Sequence, residues 1–111
     1  MARRFTSVKE IFAGMSGVFN RNAAAGLNAV FQYHIKGAES GDWYVAVKDQ
    51  TCTVSEGVHG SPTVSLTLAD KDWIAMCNGE LDGMSAFMGG KLKLSGDIML
   101  AQRIASLFPL G

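Results

Sequence analysis

The spacing of apolar and polar residues changes at about Val30, and the change separates a helical start from an extended middle. Before it, Ser7-Val8-Lys9-Glu10 has the S-x-x-E form of a capping box, in which Ser7 and Glu10 satisfy orphan amide donors at a helix start. Val8, Ile11, Phe12 and Met15 follow at helical spacing and predict an amphipathic helix. A second short helix is expected from Asn22 to Leu27, where three alanines follow a good cap residue, although Gly26 weakens it.

From Val30 the period is two, with Phe31, Tyr33 and Ile35 on one side and Gln32, His34 and Lys36 on the other. The alternation returns in Trp43, Val45 and Val47, in Cys52 and Val54, and in Val64, Leu66 and Leu68. Turns fall at Ser40-Gly41, Asp49-Gln50 and Gly57 to Pro62. Strands with one polar face predict a largely antiparallel sheet. Thr51, Thr53, Ser65, Thr67, Lys91 and Lys93 would line that face, so helices must cover the other.

Asp70 is placed to cap a helix running to about Asn78, with Trp73, Ile74, Met76 and Cys77 as its apolar contacts and Gly79 as its stop. A further helix is expected from Gly83 to Met88 and a fifth strand from Lys91 to Ser95, after which Gly96-Asp97 opens a helix to about Phe108. The expected class is α+β: a five-stranded, mostly antiparallel sheet covered on one face by about five helices, in a single domain over residues 1–111.

The last of these helices is too apolar for an element with one buried face. Gln102, Arg103 and Ser106 make a narrow polar stripe, while Ile98, Leu100, Ala101, Ile104, Ala105, Leu107 and Phe108 cover the rest. Met84, Phe87 and Met88 add flexible, polarizable side chains suited to a surface that adapts to varied apolar ligands. On periodicity alone, an ordinary core with methionine as gap-filler explains the same residues.

Composition narrows the partners. With 48% hydrophobic and 18% charged residues the chain has the make-up of a folded domain with a real core. A formal net charge of zero lacks the electrostatic footprint of a nucleic-acid binder. The charge is segregated, however, at +4 over residues 1–36, −6 over residues 37–90 and +2 beyond. Arg3, Arg4 and Lys9 therefore flank the apolar stripe of the first helix, a pattern that predicts transient docking on anionic membranes; simple packing on the sheet is the alternative.

Cys52 and Cys77 lack C-x-x-C spacing and point to a reducing compartment rather than to a disulfide framework or a zinc site. No apolar run approaches the ~18 residues needed to span a bilayer, and no signal-peptide apolar segment follows Met1 to Phe5. Basic residues and serines near the start have the composition of a transit peptide, but Glu10 and the capping pattern favour a structural helix. A cytoplasmic protein is expected.

No reactive constellation emerges. Gly83 to Lys91 has the outline of a phosphate loop, but the glycine spacing is wrong and Leu92 stands where a hydroxyl must hold magnesium. His34 and His59 lack any metal-ligand or general-base spacing, Asp70 and Asp72 belong to a helix start, and Cys77 sits in an apolar setting without a neighbouring base. Neither a catalytic residue nor a metal or cofactor is expected.

Four segments carry a family resemblance: Ala24 to Gln32 (AAGLNAVFQ), Trp43 to Asp49 (WYVAVKD), Pro62 to Leu68 (PTVSLTL) and Ser85 to Asp97 (SAFMGGKLKLSGD). Together they resemble the sterol carrier protein type 2 family, also called the non-specific lipid-transfer proteins, over nearly the whole chain from Ser7 to Phe108. The pattern from Ala86 to Asp97 is the most specific part, and Asp70-Lys71-Asp72-Trp73 resembles the helix start after the fourth strand.

The resemblance implies a hydrophobic tunnel between sheet and helices for fatty acids, fatty acyl-CoAs, sterols or phospholipids, and no catalysis. By position the tunnel candidates are Phe12, Phe19, Phe31, Met76, Met84, Phe87, Met88, Leu100, Ile104, Leu107 and Phe108. The chain ends Pro109-Leu110-Gly111 rather than in the Ser-Lys-Leu of peroxisomal members, in keeping with a bacterial cytoplasmic protein. No polar group stands out that would read a sterol hydroxyl, so the expected ligand is a long-chain lipid. An accessory module for an acyl-processing enzyme is the rival reading, a small hydrolase is a third that lacks a nucleophile and base, and a dimer is left open.

Overall fold

The computed structural model describes residues 5–108. Five strands, β1 (Ala29–Lys36), β2 (Gly41–Lys48), β3 (Thr51–Glu56), β4 (Val64–Ala69) and β5 (Leu92–Gly96), form one sheet in the order β3-β2-β1-β4-β5. Three of the four pairings are antiparallel; the central one, β1 with β4, is parallel, so the sheet is mixed. The hairpin joining β2 to β3 turns on Asp49 and Gln50, both left-handed, the geometry a two-residue hairpin requires.

Register places Phe31, Tyr33 and Ile35 beside Val45 and Trp43 on β2 and beside Val64, Leu66 and Leu68 on β4. This is the apolar face that the alternation predicts. Thr51, Thr53, Lys91 and Lys93 are exposed, and Ser65 and Thr67 partly so. The opposite face is not uniformly wet, however. Gln32, expected there as a solvated residue, is completely buried under the 57–63 connection. Its amide donates to the carbonyls of Trp43 (2.9 Å) and Gly57 (3.0 Å), and its Oε1 accepts from the His59 N–H (2.8 Å). A long loop with backbone groups to satisfy uses the glutamine as a clip. His34 keeps to the polar side and pairs with Asp42 at 2.7 Å.

The helices are α1 (Val8–Val18), α2 (Asp70–Cys77), α3 (Gly83–Met88), α4 (Ile98–Ala101) and α5 (Ile104–Leu107), with a 3₁₀ turn at Asn22–Ala24. That turn is shorter than the helix expected to Leu27, and Asn20 rather than Asn22 caps it, accepting from the Asn22 and Ala23 N–H groups. α1 lies against β3 and α2, and α2 against β1 and β4. α3 and α4 cover β5, and α4 also touches β4.

Two caps differ from expectation. Ser7 Oγ accepts from the Glu10 N–H (3.1 Å), but two more orphan donors of α1, on Val8 and Lys9, are satisfied by the Glu39 carboxylate at 2.8 and 2.9 Å. Asp70 is the first helical residue of α2 rather than its cap, and its carboxylate accepts from the N–H groups of Glu39 (2.9 Å) and Lys71 (2.8 Å). The turn between β1 and β2 thereby ties the starts of α1 and α2 together.

The continuous final helix is also not observed. The Gln102 and Arg103 N–H groups bond three residues back, to Met99 and Leu100, which tightens the chain into a turn between α4 and α5. Arg103 then donates to the Ala23 carbonyl (3.0 Å), and the Leu107 carbonyl accepts from the Asn20 N–H (2.8 Å). These bonds dock α5 on the 3₁₀ turn.

Candidate functional site

The side of the sheet under α3, α4 and α5 is where packing and exposure conflict. α3 starts with Asp82 accepting from the Ser85 N–H (3.1 Å) and α4 with Asp97 accepting from the Leu100 N–H (3.1 Å), so both short helices are capped. α3 stops on Gly90, which is left-handed at φ 80°. Its N–H donates to the Phe87 carbonyl, and the Lys91 N–H to that of Ala86. At Gly96, φ is 91° and a Cβ would stand 2.5 Å from the Thr63 carbonyl oxygen, so the end of β5 lies this close to the start of β4 only without a side chain. The pattern from Ala86 to Asp97 is thus a helix stop, an edge strand, a close approach to β4 and a cap in succession. It builds a fixed frame.

On that frame each helix sends one anchor inward, Ala86 from α3 and Leu100 from α4, both buried. The remaining large apolar groups do not follow. Met84, Phe87, Met88, Ile98 and Met99 are 40 to 79% exposed, and outside α3 and α4 only Val58 matches them among the described residues. Both helices pack on β5, and leaving large apolar side chains on them in water is costly, which makes this side of the molecule the candidate binding surface.

The expected tunnel residues separate into three groups. Phe12, Phe31, Leu100, Leu107 and Phe108 are buried in the core. Phe12 stacks on Trp43 (4.8 Å) and Trp73 (5.8 Å) and meets Tyr33 edge-on (5.2 Å). Phe19, Met76 and Ile104 are half-buried against that core, Phe19 beside Phe108 at 5.4 Å between ring centres. Met84, Phe87 and Met88 are exposed on α3.

Among the described residues, clefts open at the surface near α4 and α5 and near the β2–β3 hairpin. One, of about 540 Å³, lies along α4 and α5 between Asp97, Met99, Leu100, Gln102, Arg103 and Ser106; the other, of about 390 Å³, lies between Gly26 to Asn28 and Lys48 to Gln50. Leu100 is the one expected lining residue that borders either.

The apolar stripe of α1, Val8, Ile11, Phe12 and Met15, is buried. It packs on the protein, the alternative the sequence left open. Arg3, Arg4, the Pro109 to Gly111 tail and the side chain of Ala105 lie outside the described residues.

Sequence reasoning passed over Tyr33 and Trp73, which sit in apolar stripes. Both are buried, their rings are 5.0 Å apart, and neither polar atom has a hydrogen-bond partner among the described residues. Burial, reinforced by Cys77, pushes the Tyr33 phenol well above its ordinary value, and burial pushes the Cys77 thiol up to about 12. Cys77 is the buried structural thiol expected. No group of three His, Cys, Asp or Glu side chains converges among the described residues, and no described helix is long and apolar enough to cross a membrane.

A mixed five-stranded sheet covered by helices, with large apolar side chains left exposed on α3 and α4, defines an α+β domain. The chain belongs to the SCP-2 sterol transfer family, whose model matches residues 10–109. Hydroxysteroid dehydrogenase-like protein 2 of Rattus norvegicus is 31% identical over 107 residues, which make up 93% of this chain and 20% of that protein. Peroxisomal multifunctional enzyme type 2 of Mus musculus is 36% identical over 80 residues, 69% of this chain and 11% of that enzyme. The chain spans about a fifth of the length of the first of these relatives and less of the second. The solution structure of palmitated SCP2L2 from Aedes aegypti is 33% identical, superposes with a TM-score of 0.74, and covers 91% of this chain and 93% of that one.

Proposed function

We propose that this protein binds a long-chain lipid between the sheet and helices α3 to α5 and carries it without altering it. The observation that supports this reading is the exposure of Met84, Phe87, Met88, Ile98 and Met99 on two short, separately capped helices that both pack on β5. A single stretch of apolar chain laid along β4 and β5 would cover that surface. Each ~100 Å² of apolar area removed from water is worth about 2.5 kcal/mol, enough to hold a long acyl chain without specific polar contacts. The half-buried Phe19, Met76 and Ile104 would extend the lining inward from the mouth. A palmitated relative of the same fold is in keeping with such a ligand. We place the protein in the cytoplasm, where its two free cysteines would stay reduced.

Titration of delipidated protein with a fluorescent fatty acid is expected to give saturable binding at micromolar concentrations, and organic extraction of protein purified without detergent to release substoichiometric lipid. Empty extracts together with absence of saturable binding would remove this reading.

A second reading, an accessory module for an acyl-processing enzyme, is favoured by the small share of each curated relative that the chain matches, 20% and 11%. Copurification of a stable enzyme partner from the native host, with no lipid transfer between vesicles, would support it instead.

A further inference from the structure

The Tyr33 hydroxyl and the Trp73 indole N–H are the two buried side-chain polar atoms without a hydrogen-bond partner among the described residues. Tyr33 is 0% exposed and Trp73 3%. A donor buried without an acceptor is destabilising, so a native core that keeps two of them on contacting aromatic rings has a use for them. They come from different elements, β1 and α2, and their rings lie 5.0 Å apart. Phe12 stacks against Trp73 and meets Tyr33 edge-on, so their surroundings are aromatic. One turn beyond Trp73, the buried Cys77 completes that side of α2.

The position of the pair matches the proposed ligand path. Tyr33 is in register with Leu66 on β4, and Leu66 with Leu94 on β5. An apolar row therefore runs across the sheet from the phenol to the strand covered by α3 and α4.

We propose that Tyr33 and Trp73 form a polar clamp for the uncharged oxygen of a lipid headgroup, a hydroxyl or an ester carbonyl, whose tail runs over Leu66 and Leu94 towards α3 and α4. The inference rests on the lipid-binding reading above. Indole can only donate and a neutral phenol donates readily, so the pair suits an acceptor oxygen. A carboxylate is disfavoured there, because aromatic surroundings replace neither its hydration nor a counter-charge.

The test uses delipidated full-length protein and four probes delivered from cyclodextrin at pH 7.5: dodecan-1-ol, methyl laurate, dodecane and laurate. The alcohol and the ester are expected to bind about tenfold more tightly than dodecane, the worth of one to two net hydrogen bonds. They are also expected to move the Trp73 indole proton resonance downfield, which dodecane and laurate do not. Tyr33→Phe and Trp73→Phe should each reduce the advantage of the alcohol and the ester over dodecane from about tenfold to about twofold or less. Should either variant fail to fold, the indole resonance of the wild type still decides.

Equal binding of alcohol, ester and dodecane overturns the clamp and leaves the lipid reading standing. A favoured laurate whose advantage is lost in Tyr33→Phe overturns the restriction to uncharged oxygens. Failure of every probe to bind overturns both.

Discussion

Asp70 shows how one side chain carries more of this fold than its place in the sequence suggests. A carboxylate at a helix start reads as a cap, but this one also reaches the Glu39 N–H, 31 residues away. That hydrogen bond, with the Lys71 N–H and the Lys71 charge, outweighs burial and holds the Asp70 carboxyl below its ordinary value of 3.8. A lowered folded value means that the charged form stabilises the protein, fully so above the unfolded value, and that this contribution is lost as pH falls through the folded one. Denaturant stability is therefore expected to drop on acidification below about pH 4. Asp70→Asn should be about 1–3 kcal/mol less stable at neutral pH and show a shallower acid dependence. Parallel pH profiles for the two proteins would reveal a structurally idle carboxylate.

Glu39 and Gln32 teach the same lesson: Glu39 caps a helix from a distant turn, and Gln32 is buried although it alternates with apolar residues. Such roles depend on which loop crosses which face, information that local period does not contain. The aromatic stripe holding Tyr33 and Trp73 was legible as core, but the missing partners of their polar atoms were not.

At the scale of elements, alternation located β1 to β4 and helical spacing located α1, because those patterns report one-sided burial directly, while α2 was legible from its acidic start and glycine stop. The final helix was misread as continuous. Nothing local in Gln102-Arg103 forbids a helix; long-range bonds to Ala23 and Asn20 redirect it. The break has an energetic consequence, since α5 inserts Leu107 fully into the core while α4 leaves Met99 72% exposed. Leu107→Ala is accordingly expected to cost about 2–5 kcal/mol of stability. Met88→Gln and Met99→Gln should shift stability by no more than about 0.5 kcal/mol. The double variant should nonetheless bind a long acyl chain about tenfold more weakly, since it removes apolar surface from the proposed mouth. Chemical denaturation alongside fatty-acid titration separates the two effects; a destabilised double variant would mean that these methionines pack rather than wait for a ligand.

For the molecule as a whole, the sheet and its helical cover were legible in the sequence, through periodicity and through the motif from Ala86 to Asp97. The proposed binding surface was readable only as an excess of apolar residues. Which of them pack and which stay exposed follows from chain reversals at Gly90, Gly96 and Gln102-Arg103 that set the orientation of α3, α4 and α5. Five of the eleven expected lining residues are consequently part of the core, and the exposed set gains Ile98 and Met99.

Methionines report on both regions, since Met15 lies buried in α1, Met76 half-buried in α2, and Met84, Met88 and Met99 exposed on α3 and α4. The most direct measurement is a titration of methyl-labelled, delipidated protein with a long-chain lipid, followed by methyl NMR. The account predicts saturable shifts at Met76, Met84, Met88 and Met99 with a common midpoint, and a Met15 signal that stays where it is. Shifts centred on Met15, or shifts that grow linearly without saturating, would contradict a binding surface between the sheet and helices α3 to α5.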